Sequence, residues 1–218
     1  KFWRRALAVV LTGLEVAAIG WLLAGSATTV HQITVTGLSH LSREQVVAAA
    51  RLGSPGSVLL IDGDSIRRDL ERLPWVRTAS VQPLLPDQVA ISVEEWVPIA
   101  VYRNGAAGKL LFLNDQGAVL APATAAGALP LIQGGRTAEP KTGSHPIDAQ
   151  LLAALVRIQA ALPSVYGQPV AAFQLDCIGS LSLTTTNGVA IYFGRVLTPE
   201  EFASLSVKLS ALKSIVAS

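Results

Sequence analysis

The 218-residue chain contains no methionine, position 1 included, and a single cysteine, Cys177. Without an initiator residue, the chain is expected to be a fragment of a longer protein whose true N-terminus is not in view. One cysteine can close no internal disulfide, which excludes a disulfide-stapled fold and leaves the redox compartment open. Cys177, between Asp176 and Ile178 in an apolar-alternating run, is expected to be a buried thiol within a strand. Charge is also scarce. Only 15% of residues are charged while 50% are hydrophobic, a balance that argues against disorder. The net charge of +2 arises at the N-terminus, where Lys1, Arg4 and Arg5 precede an apolar run containing Glu15, and the remaining 14 basic residues balance 14 acidic ones. A neutral body with no basic stripe carries no nucleic-acid footprint. The chemistry of turnover is thin as well: three histidines, one cysteine, and no G-x-S-x-G, H-E-x-x-H, S-x-x-K or phosphate loop. No enzyme, cofactor, metal or small-molecule substrate is therefore expected. Asp62-Gly63-Asp64 reads as a turn and helix cap, and His31 and His40 read as surface residues.

What is present begins with an apolar stretch from Ala6 to Val30. A helix needs about 20 such residues to cross a bilayer, so this one can span. Basic residues at Lys1, Arg4 and Arg5, with none beyond the run until Arg43, put the short tail 1–5 in the cytoplasm and the rest outside it. A cleavable signal peptide would have a shorter apolar core, so a retained anchor over 6–29 is preferred. Gly13, Ala17, Gly20 and Ala24 fall on one face of this helix, where a second helix could approach closely, while Glu15 points elsewhere and calls for a polar partner or a proton.

Beyond the anchor, His31 to Thr36 alternates as a short strand ended by Gly37. Ser42 and Gln45 form a capping box for a helix whose apolar side is Val46, Val47 and Ala50. Leu59 to Ile61 bridges to a second helix, capped at Asp64 or Ser65 and striped by Ile66, Leu70 and Leu73. Two alternating runs follow, Ala79 and Val81, then Val89, Ile91 and Val93, joined by a turn from Pro83 to Asp87. After Pro98 the pattern continues as a β-meander, Ile99 to Arg103, Lys109 to Asn114 and Ala118 to Ala121, with a short strand at Leu129 to Ile132. Ile147, Leu151, Leu155, Ile158 and Leu162 recur at helical spacing until Pro163. Phe173, Leu175 and Cys177 start another strand, Leu181 and Leu183 the next, and Asn187-Gly188 signals a hairpin into Val189 to Phe193. Thr198, Pro199 and Glu201 open a last helix with Phe202, Leu205, Leu209, Leu212 and Val216 on its inner stripe.

Leu73, Pro74, Val76, Ala79, Val81, Pro86, Val89, Ile91, Val93, Glu95, Pro98 and Ala100, together with the run from Val35 to Val46, resemble a POTRA domain of the bacterial FtsQ/DivIB cell-division family. Leu113 to Val119, and Gly194-Arg195 ahead of the last helix, resemble that family's β domain. The resemblance implies an α+β chain: a single N-terminal transmembrane helix, a β-α-α-β-β POTRA domain over 30–98, and a mostly antiparallel β domain with flanking helices over 99–218. It implies a non-enzymatic scaffold in the plasma membrane at the division septum, binding FtsB- and FtsL-like proteins and septal synthase components. By resemblance alone, partner contact is expected at Val189, Ile191, Phe193, Phe202 and Lys208. Related chains continue past this helix into a further strand near the edge where FtsB adds its own: if the chain is truncated that strand and a principal binding surface lie beyond Ser218, and if it is complete the sheet edge is altered. The alternative, a POTRA component of an envelope export machine, predicts a following run of amphipathic barrel strands that these residues lack. An envelope hydrolase with a cryptic site would be exposed by assays on cell-wall or peptide substrates.

Overall fold

The backbone divides between Glu95 and Trp96 in the computed structural model, which describes residues 12–17, 29–52, 57–135 and 138–216. Residues 12–17 are helical and exposed; the remainder of the expected anchor, Gly20 and Ala24 included, lies outside the described residues up to Thr29.

The first unit runs β1 (Gln32–Thr36), α1 (Arg43–Ala49), a 3-10 turn (Val58–Leu60), α2 (Gly63–Leu70), β2 (Val76–Leu84) and β3 (Gln88–Glu95). Its sheet is ordered β1-β3-β2, with β1 parallel and β2 antiparallel to the central β3. Ser42 and Gln45 form the expected reciprocal cap: the Gln45 N–H donates to Ser42 Oγ at 3.2 Å and the Ser42 N–H to Gln45 Oε1 at 2.9 Å. Val46, Ala50 and Leu70 from the helices close on Val76, Ala79, Val89, Ile91 and Val93 from the sheet. Two local expectations change. The cap of α2 is Asp62, whose Oδ1 accepts from the Ser65 N–H at 3.1 Å, because a carboxylate three residues upstream reaches the first free amides. Pro83 lies inside β2, opposite Val89, and not in the turn. It is tolerated because β2 is an edge strand, on which a proline whose nitrogen faces away from the neighbouring strand removes no ladder bond.

The second unit comprises β4 (Ala100–Asn104), β5 (Leu110–Leu113), β6 (Val119–Pro122), β7 (Leu131–Gly134), α3 (Ala149–Tyr166), β8 (Val170–Leu175), β9 (Ser180–Thr185), β10 (Ala190–Arg195) and α4 (Pro199–Val216). The strands form one sheet, β10-β9-β8-β7-β4-β5-β6. It is not a continuous meander: β7 pairs parallel to both β4 and β8. Parallel neighbours need a crossover, and α3 supplies the one between β7 and β8. The remaining ladders are antiparallel.

α3 is long and apolar enough to cross a bilayer, yet Leu151, Leu152, Leu155, Ile158 and Leu162 are buried among sheet residues such as Phe173, Leu181 and Leu183, so it is the core helix of this unit. Asp148 caps it through bonds from the Gln150 and Leu151 N–H groups. Pro163 does not stop this helix, which continues to Tyr166 and ends at Gly167 with φ of 76°. Proline removes only its own bond to the preceding turn, and the following amides still find helical acceptors, as the Gly167 N–H does at Pro163 O. Cys177 is not a buried strand residue. It is exposed in the turn Asp176–Gly179, because Asp176 Oδ1 accepts from the Ile178 and Ser180 N–H groups at 3.0 and 2.7 Å and folds the chain back.

Candidate functional site at the edge of the second sheet

Asn187-Gly188 makes the expected tight turn, with Gly188 at φ of 84° and the Thr185 N–H donating to Val189 O at 2.9 Å. The returning strand, β10, is the last in the sheet order, and among the described residues nothing pairs with its outer edge. Its ladder to β9 slips between Tyr192 and Gly194, a bulge that accommodates Gly194 at φ of 79°.

This bulge and alternation sort the residues by side. Phe193 is buried in the core; Ile191 and, from α4, Phe202 pack against it. Tyr192 lies 81% exposed, and Val189 is partly exposed at the hairpin. Lys208 of α4 reaches back, its Nζ donating to Phe193 O at 2.7 Å. The structure thus brings Ile191, Phe193, Phe202 and Lys208 to one corner, with Val189 at the neighbouring turn. Gly13, Glu15 and Ala17 lie on the helical residues 12–17, all of them exposed.

The Gly194-Arg195 junction is fastened to α4. Arg195 Nε donates to Glu201 Oε1 at 3.0 Å, while Glu201 Oε2 accepts from the Leu197 and Thr198 N–H groups at 2.6 and 3.1 Å. The Leu197 amide, foremost, and the Arg195 guanidinium hold the Glu201 carboxyl below its usual range. The first turn of α4 is therefore pinned through Glu201 to the end of β10, and the edge strand and helix form one corner. Beside this corner, on the sheet surface carrying Tyr192, Gln133, Gln174, Ser180 and Ser182 line a shallow groove of about 420 Å³.

Sequence reasoning passed over Tyr192, although it alternates with the inward Ile191 and Phe193 and so had to face outwards. It also passed over a clasp in the first unit. Glu95 accepts the N–H groups of Ser39, His40 and Leu41, and His40 stacks on Trp75 with ring centroids 4.0 Å apart. Among the described residues no group of three or more His, Cys, Asp or Glu side chains could hold a metal ion.

Residues 28–96 match a family model described as POTRA domain, FtsQ-type, and residues 100–218 match one described as Cell division protein FtsQ/DivIB, C-terminal. Curated relatives agree. A Cell division protein FtsQ of Mycobacterium leprae is 34% identical over 188 residues, 85% of this chain and 51% of that protein. Its counterpart from Streptomyces bingchenggensis is 28% identical over 219 residues, 97% of this chain and 80% of that protein. The one from Escherichia coli is 32% identical over 104 residues, 45% of this chain and 38% of that protein. The chain thus spans about half the length of the mycobacterial relative.

Proposed function

The chain belongs to the FtsQ/DivIB family of bacterial cell-division proteins, and on that premise we propose that it acts without turnover, as a membrane-anchored scaffold of the divisome. The observation that carries the mechanism is the end of the sheet at β10, held to α4 through Arg195, Glu201 and Lys208. A sheet edge at this end, that of β10 or of a strand following Ser218, offers N–H and C=O groups in register for a partner strand, and flanking side chains supply selectivity. Val189 and Tyr192 are the exposed side chains closest to hand; Ile191, Phe193, Phe202 and Lys208 set the edge from behind. The partners in this reading are FtsB- and FtsL-like division proteins and septal synthase components.

The apolar run 6–29, with basic residues only on its N-terminal side, supports a single-pass anchor that leaves both folded units outside the cytoplasm. Confinement to one membrane raises the effective concentration of partners, so individually weak contacts suffice. Gly13, Glu15, Ala17, Gly20 and Ala24 would meet a partner helix within the bilayer.

The test is a fluorescent fusion of the full-length parent in its own bacterium, paired with photo-crosslinking from Val189 and Tyr192. Septal concentration together with crosslinks to a division protein is the expected result. An even envelope distribution through septation would overturn the divisome reading. Septal signal with crosslinks only from positions remote from β10 would retain the divisome and refute the edge.

A further inference from the structure

The exposed large apolar side chains among the described residues 29–95 are Leu59 at 63%, Leu60 at 85%, Leu84 at 46% and Leu85 at 67%. They come from two separate segments, and the topology brings both to one end of the unit. Register places Gln32, Gln88 and Leu84 in one row across the three strands, so the β2–β3 turn carrying Leu85 sits beside the first residue of β1. The His31 N–H donates to Asp87 O at 2.9 Å and ties that turn to the entering chain. On the other side Thr29 forms an antiparallel bridge with Ser57, the residue that caps the 3-10 turn of Leu59 and Leu60. All four leucines therefore surround the point at which the chain enters this unit from the apolar run 6–29.

From this arrangement we propose that Leu59, Leu60, Leu84 and Leu85 form a lipid-contacting foot that seats the first unit on the outer surface of the bilayer. This rests on the reading of residues 6–29 as a membrane anchor. The distances suit it. Bridged Cα atoms lie about 5 Å apart, and the 3-10 turn rises about 2 Å per residue over the three residues from Ser57, which puts Leu60 within about 11 Å of Thr29. The headgroup layer is about 5–7 Å deep on each side of the hydrocarbon, so side chains this close to an anchor's end reach it. The ionisable groups beside the leucines are mainly acidic, Asp62 and Asp64 next to the 3-10 turn and Asp87 next to Leu85, with His31 alongside and Arg67 paired to Asp64. Attraction to anionic headgroups cannot drive such contact. Insertion of the leucines does, and it proceeds equally on zwitterionic lipid.

The experiment uses the full chain in phosphatidylcholine nanodiscs with Cys177→Ser as background. Single cysteines replace Leu60, Leu85, Arg72 or Val16, each carrying an environment-sensitive fluorophore, and lipids bear nitroxide quenchers at the headgroup or deep in the acyl chain. Headgroup nitroxides are expected to quench the labels at Leu60 and Leu85 and shift them to the blue. Arg72, close to the opposite end of β2, about 26 Å away at 3.3 Å per residue, is expected to escape both. Acyl-chain nitroxides quenching Val16 establish insertion of the anchor independently. If Val16 is quenched while Leu60 and Leu85 remain as water-exposed as Arg72, the foot is refuted and the anchor stands. Labels at Leu60 and Leu85 that are shielded from water but unquenched by lipid would mean that protein covers them, which also refutes it. If Val16 itself remains unquenched, the anchor reading falls and takes the foot with it.

Discussion

Replacing Glu95 with glutamine should loosen the first unit in a manner that depends on pH. The Glu95 carboxylate is only 6% exposed and gathers four donors. Oε1 accepts from the Ser39 and Leu41 N–H groups, both at 3.0 Å, and Oε2 accepts from the His40 N–H at 2.8 Å and from His40 Nδ1 at 2.9 Å. Glutamine keeps one acceptor oxygen and turns an NH₂ towards the other pair of donors. Hydrogen bonds to a charged group contribute about 1.5–3 kcal/mol each; part of the loss is returned by water, since His40 is half-exposed, and a net cost of about 3 kcal/mol follows. Burial by itself raises the Glu95 pKa, but the combined donors of Ser39, Leu41 and His40 outweigh it and hold the carboxyl below its ordinary value. A carboxyl lowered on folding stabilises at pH values above its unfolded pKa, and that stability is lost as pH falls through the folded one. The gap between Glu95 and Glu95→Gln should therefore be full at pH 7 and close progressively below about pH 4. Urea unfolding of the full chain in micelles, followed by amide exchange at residues 39–41, should show the midpoint of the first unit falling by about 2 M at neutral pH. Equal midpoints, or a gap that ignores acid, would refute the reasoning.

In the second unit, Gly117→Ala should cost about 3 kcal/mol: φ is +75°, and an added Cβ would run into the Ile147 carbonyl oxygen, backbone that cannot step aside. Thermal melting should register this as a large drop in midpoint, and an unchanged midpoint would mean that the turn is built differently. Leu155→Ala, at a side chain with 0% exposure beneath the sheet, should destabilise by about 2–5 kcal/mol in the same assay, whereas a membrane-embedded α3 would leave the soluble melting transition untouched. Cys177 should react with a maleimide in the native chain at a rate close to that after denaturation, because its turn is exposed. Protection until unfolding would return it to the interior.

Local order was legible where a short stretch of chain carried its own physics. Ser42 with Gln45 and Thr198 with Glu201 announced helix starts, Asn187-Gly188 announced a hairpin, and the alternation of Val89, Ile91 and Val93 announced the inward face of β3. In each case donor and acceptor, or apolar neighbours, lie within a few residues, so the sequence alone determines the outcome. The same holds for the absence of an enzymatic motif and for the family resemblance, both read from residues in order. Composition also established that 6–29 has the length and hydropathy of an anchor, although that segment lies largely outside the described residues.

The rest required contacts between distant segments. Cys177 and Leu175 share one alternating pattern, yet the pattern says nothing of Asp176 gathering two amides, so strand and turn could not be separated in advance. The parallel pairing of β7 with β4 and β8 depends on which edges are free when the chain returns, a choice settled by burying α3 and α4 on one face of the sheet. The corner of β10, Lys208 and Glu201, the clasp of Glu95 on residues 39–41, and the convergence of Leu59, Leu60, Leu84 and Leu85 arise in the same way. Periodicity tells a side chain which face it takes, because that follows from the geometry of its own element. Which other element it meets there is decided by packing the whole domain, and only the tertiary structure contains that answer.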